Sequence, residues 1–185
     1  MNTAKILGQQ LTTRLKSKQS SPLLVSLCGA ADLGKSTLSQ QLVEQLHKLD
    51  IQTGHLTLDS YLMDRSKRST LGISGYQPEA YDLTKIQTDV QQCLAGHPIN
   101  LFPYDHSLGK TVPPAITIQP CNVLIIDGLH SMHEQLKHLI HFSIFMYTSD
   151  ENLLEIRQQS DLEKRKQTEE FSVLNLETEL LSYKI

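Results

Sequence analysis

Residues 29–36 read Gly29-Ala30-Ala31-Asp32-Leu33-Gly34-Lys35-Ser36, with Thr37 following. No other stretch limits the possible fold as tightly. Glycines at this spacing let the backbone turn with its N–H groups pointing inward, so that the loop and the start of the next helix form an anion nest. Lys35 adds a point charge for β- and γ-phosphates, and the Ser36 hydroxyl is a ligand for Mg²⁺. The motif needs a strand leading in and a helix leading out. Residues 23–28 form an apolar run, and Leu38, Leu42, Val43 and Leu46 recur at helical spacing over residues 35–49. The expected ligand is Mg-ATP, held by residues 29–37.

Further along, short apolar runs alternate with helical segments. This pattern implies an α/β fold of three layers, the P-loop nucleoside triphosphate hydrolase type, with a mainly parallel sheet of about five strands. Further strands are expected at residues 55–58, 123–126 and 142–147. Helices are expected from Thr84 with Gln87 as capping box, from Ser131 with Glu134, and from Thr148 with Glu151. Residues 1–20 carry Ile6, Leu7, Leu11 and Leu15 at helical spacing, which suits a helix lying on the domain; residues 171–183 read as a C-terminal helix. The whole of 1–185 reads as one domain. Two irregular stretches, 59–82 and 101–114, interrupt the pattern, and long loops in compact domains carry function or disorder.

The chain has a net charge of -3, which gives no reason to expect a nucleic-acid partner, and no apolar run near the roughly 18 residues of a membrane span. Its 3 cysteines, Cys28, Cys93 and Cys121, are odd in number and far apart, pointing away from a disulfide framework or zinc site and towards a reducing, cytoplasmic setting. His133, Glu134 and His138 resemble a zinc-protease helix with one residue too many, so the two imidazoles would not share a helix face. Homo-oligomerisation stays open.

Two acids complete the reading. Residues 123–126 are an apolar strand ending in Asp127, the pattern of an acid that holds Mg²⁺ directly or through water. Asp59 follows another strand, at the end where ligands of open α/β sheets bind, and could accept the proton of an attacking hydroxyl or cap the next segment.

The order of motifs then matters. The nest is followed by Asp59-Ser60-Tyr61, by residues 75–82 (Gly-Tyr-Gln-Pro-Glu-Ala-Tyr-Asp), by Pro103-Tyr104-Asp105-His106, by Ile125-Ile126-Asp127-Gly128-Leu129-His130, and by Asp161 to Arg165. This set resembles the uridine kinase and phosphoribulokinase family of P-loop kinases over roughly residues 23–168. The resemblance implies transfer of the ATP γ-phosphoryl group to a hydroxyl of a small metabolite. It makes Asp59 the general base and Lys35 a catalytic residue. Tyr61, Tyr76, Tyr104 and His106 would face the acceptor, and Arg157 and Arg165 would close over the transferred group within a lid at 157–168. The matching departs from the family at several positions: Asp127 stands where the family usually has Glu, and Lys166 replaces a lid glycine. Uridine kinases have a ribose-binding Asp where this chain has Tyr76, and Ser160 and Gln167 replace two lid arginines. The thinned lid motivates an alternative, a nucleotide-binding protein with weak or no transfer.

Overall fold

An apolar run buried on both faces suits a central strand, and two such runs meet here. The computed structural model describes residues 3–17 and 22–160. Along the chain come α1 (Thr3–Ser17), β1 (Leu23–Gly29), α2 (Lys35–His47), β2 (Thr53–Thr57), α3 (Arg65–Leu71), α4 (Leu83–Leu94) and β3 (Ile99–Leu101). There follow β4 (Tyr104–Asp105), β5 (Lys110–Thr111), β6 (Ile116–Ile118), β7 (Val123–Asp127), α5 (Glu134–Lys137), β8 (Phe142–Met146) and α6 (Asp150–Ser160).

β1 and β7 are buried at every position and form the middle of a parallel sheet ordered β2-β7-β1-β8. The alternation of side chains across a strand divides the core. Leu24, Leu124 and Ile126 face one side with Leu56, Ile86 and Val90, while Val25, Val123 and Ile125 face the other with Leu11, Leu42 and Leu46. Helices α4 and α5 cover the first face, α1 and α2 the second, which is the three-layer arrangement expected. Truncating a fully buried residue such as Ile125 to Ala would cost about 2–5 kcal/mol.

The sheet has 4 strands among the described residues, not the 5 expected. The other short strands pair elsewhere and antiparallel, β3 with β6 and β4 with β5. Helix starts also differ. Asp82, not Thr84, caps α4 by accepting from the Lys85 amide at 2.9 Å. Ser131 is drawn inward, its hydroxyl accepting from Ser26 at 2.9 Å, and His133 caps α5 instead.

Register brings the site together. Leu27 and Thr57 both lie beside Asp127, so the chain leaves β1, β2 and β7 at one level of the sheet. The crowding there is visible in two glycines. At Gly29 (φ 148°) a Cβ would run into the Met146 carbonyl oxygen, and at Gly128 (φ 154°) it would lie 2.6 Å from the Leu58 Cβ.

Candidate active site

The loop from Gly29 leads into α2. Gly34 caps this helix without any side-chain hydrogen bond, and no acid sits in its first turn. No side-chain cap or first-turn acid of the helix therefore competes with an incoming anion for the first amides, and the helix field favours negative charge there. Lys35 reaches back across the loop, its Nζ donating to the Ala30 carbonyl at 2.7 Å. Asp32 has a positive φ of 64°, tolerated better by Asp than by most residues.

The Ser36 hydroxyl lies near the Asp127 carboxylate. Asp127 is 1% exposed and neither of its oxygens has a hydrogen-bond partner. His55 Nε2 comes within 3.2 Å of Oδ1, an ion-pair distance, but off the line a hydrogen bond requires. Burial alone would push the carboxyl pKa up. His55, with the nearby hydroxyls of Ser36 and Thr57, outweighs burial and leaves it below the ordinary value. A buried, ionised carboxylate without a well-aligned hydrogen bond, beside a hydroxyl, suits a hard cation that takes oxygen ligands. Among the described residues no group of three or more His, Cys, Asp or Glu side chains could hold a metal by itself.

Asp59 lies in a 3₁₀ turn, Leu58–Tyr61, directly after β2. The turn is capped by Thr57, whose hydroxyl accepts from the Asp59 amide, so the capping role falls to Thr57 and not to the Asp59 carboxylate. That carboxylate is 40% exposed and meets His106 Nε2 at 3.1 Å. His106 stands at the tip of the β4–β5 hairpin. The Asp105 carboxylate closes this tip, and the Ser107 hydroxyl and Leu108 amide hold its pKa below the usual range. The Tyr104 ring packs edge-on against His106 at 5.1 Å, and its hydroxyl accepts from Arg68 at 3.3 Å. Arg65 donates to the His106 and Ser107 carbonyls and so ties α3 to the hairpin. A cavity of about 400 Å³ lies between them, lined by Asp64, Arg65, Ser66, Ser69, Leu108 and Lys110 among others. A cavity of about 670 Å³ at the outer edge of β2 contains neither Lys35 nor Asp59.

Two expected site residues lie elsewhere. Tyr61 points into the core. It is 6% exposed, and its hydroxyl donates to Asp89 Oδ2 at 2.8 Å; burial, then Asp89, push its pKa upward. Asp89 also accepts from Lys85 at 2.7 Å. Arg157 is fully buried on α6, with its Nη1 donating to Asp32 Oδ2 at 2.8 Å. Tyr76 stacks on that guanidinium at 4.7 Å, and its carbonyl accepts from His130 at 3.0 Å. Arg165, the rest of the lid beyond Ser160 and the C-terminal helix lie outside the described residues. His55, Asp32 and Asp89 went unnoticed as partners. Their partners are 72, 125 and 28 positions away, and only the mid-helix acid Asp89 gave any local hint.

Fold and site together define a nucleotide-binding P-loop domain of the kinase type. The sequence profile of the phosphoribulokinase / uridine kinase family matches residues 24–175, and the chain belongs to that family. It is 26% identical over 149 residues to a phosphoribulokinase of Synechocystis sp., covering 80% of this chain and 44% of that protein. It is 22% identical over 152 residues to a uridine kinase of Lactobacillus helveticus, covering 80% and 72%. The chain thus spans less than half of the first relative's length. Among solved structures, a Silicibacter sp. protein assigned as a fructose transport system kinase superposes with a TM-score of 0.82 at 22% identity, covering 96% of this chain and 89% of that one. That likeness concerns the fold.

Proposed function

We propose that this chain transfers the γ-phosphoryl group of ATP to a hydroxyl of a small metabolite. The observation that carries it is the convergence at one level of the sheet of an anion-ready loop, the buried Asp127 carboxylate beside the exposed Ser36 hydroxyl, and the partly exposed Asp59 carboxylate. Lys35 and the loop amides bind the triphosphate. Ser36 and Asp127 hold Mg²⁺, which when bound neutralises charge on the phosphate oxygens. Asp59 takes the proton from the acceptor hydroxyl as its oxygen bonds to the γ-phosphorus and the bond to the bridging oxygen breaks, releasing ADP. His106, 3.1 Å away, orients that carboxylate. Tyr104 and His106 line the acceptor side. The net charge of -3 suits a metabolite acceptor better than nucleic acid, and 3 free cysteines suit the cytoplasm.

The test is ADP release against a panel of sugars, sugar phosphates, nucleosides and hydroxy acids. Asp59→Asn should lower turnover on the accepted compound by roughly 10²-fold or more, with MgATP affinity nearly intact. Unchanged turnover would remove Asp59 as the base. MgATP binding without transfer to any acceptor would leave only a nucleotide-binding protein.

A further inference from the structure

A carboxylate inside a loop that binds phosphates works against the loop, because like charges repel most where water is scarce. This chain carries one, Asp32, and keeps it at a positive φ of 64°. Its two oxygens are both engaged by one element. Arg157 Nη1 donates to Oδ2 and Ser160 Oγ to Oδ1, each at 2.8 Å, and both donors sit on α6 one turn apart. The side chains of Arg157 and Asp32 are 0% and 10% exposed, and Tyr76 covers the guanidinium from one face at 4.7 Å. A buried arginine is tolerated only with a counter-charge, and here that charge comes from the loop.

Building on the reading of this loop as the ATP site, we propose that Arg157 serves the nucleotide through Asp32. It cancels the loop's own negative charge and fixes α6 against the loop. It is a positioning residue, and it does not touch the transferred phosphoryl group. Ser160 completes the clamp on the second oxygen, a purpose its position as a substituted lid arginine does not suggest. The two charges then matter as a pair. Removing only the cation takes from the loop carboxylate the guanidinium 2.8 Å away, whereas removing both keeps the charge balance of the pair.

A double-mutant cycle on the full chain reads this directly, with MgATP dissociation constants from calorimetry and thermal unfolding of each variant. Arg157→Gln should weaken MgATP roughly tenfold or more. Asp32→Asn keeps a residue that tolerates the left-handed backbone and removes the loop's negative charge while the Arg157 cation stays. It should bind MgATP a few-fold more tightly. The double variant should return to within roughly threefold of the unaltered chain. If Arg157 instead touched the phosphates, the double variant would bind as weakly as Arg157→Gln. That result, or a weakened Asp32→Asn, overturns the proposal. If Arg157→Gln does not fold, Asp32→Asn and the double variant, which lacks both charges of the pair, still decide between the two. An unaltered chain that binds no MgATP fails at the ATP site itself, which is a different failure.

Discussion

Tyr61 is where sequence and structure part most sharply, and replacing it by Phe separates the two. The ring fills the same volume, so packing against Ile86 and Val90 is kept and only one hydroxyl is lost. That hydroxyl donates at 2.8 Å to Asp89, a carboxylate 6% exposed. A hydrogen bond to a charged group is worth about 1.5–3 kcal/mol, and its loss leaves a buried acceptor short of a donor. Lys85 still reaches the same oxygen at 2.7 Å, but its side chain is 55% exposed and solvent screening weakens its share. A loss of about 2 kcal/mol is therefore expected. For a chain of this size, that lowers the unfolding midpoint by about 4–8 °C. The assay is thermal and urea unfolding of Tyr61→Phe without nucleotide, followed by KM for the accepted metabolite. Stability should fall and KM should hold. A midpoint within about 1 °C of the unaltered chain, together with a raised acceptor KM, would refute the reasoning and return Tyr61 to the acceptor pocket.

Asp127→Asn should raise the Mg²⁺ concentration needed for half-maximal ATP binding by roughly tenfold or more, since it removes the charged oxygen ligand; an unchanged Mg²⁺ requirement in a titration would remove Asp127 from the metal site. His130 gives a pH prediction. Burial holds its pKa below the ordinary 6.5. The unfolded chain therefore takes up this proton more readily than the folded one, and stability is lost as pH falls through about 6.5. His130→Gln should flatten that part of the profile, measured as urea stability at pH values above and below 6.5; equal slopes for both proteins would exclude His130 as the source.

What could be read in the sequence was whatever depends on neighbours along the chain. The loop at residues 29–36, the fully buried strands β1 and β7 and the acids that follow β2 and β7 all announce themselves by local pattern. The irregular stretches 59–82 and 101–114 hid more. The first holds α3, a helix of 7 residues with none buried, so it has no apolar stripe to betray it. The second holds a hairpin with 2 residues per strand, too short for alternation to register. The direction of Tyr61 was also hidden. A tyrosine two residues beyond a candidate base fits a pocket or a core equally well, and only the acid on α4 decides between them. The same limit applied to Arg157. The resemblance places Arg157 in a lid over the transferred group, whereas its burial depends on Asp32, 125 positions earlier.

The two halves of the site are built differently, and this bears on what can change in such a protein. The phosphate side is anchored in the sheet. Asp127 is buried, Gly29 and Gly128 admit no side chain, and both glycines lie against neighbouring strands or turns. Substitution there disturbs the core and the proposed metal ligand together. The acceptor side hangs from the sheet by side-chain bonds to carbonyls, from Arg65 to the hairpin tip and from Arg68 to Met63. His106, Asp59, Leu71 and Leu108 are partly or largely exposed, so residues there can be exchanged at a cost usually within about 0.5 kcal/mol when no such bond is broken. Relatives at 26% and 22% identity are named phosphoribulokinase and uridine kinase. A rigid phosphate half joined to a loosely tied acceptor half is a physical arrangement in which the acceptor can differ while the phosphate site does not. On the kinase function proposed above, exchanging α3 and the 104–111 hairpin should alter the acceptor without loss of ATP binding.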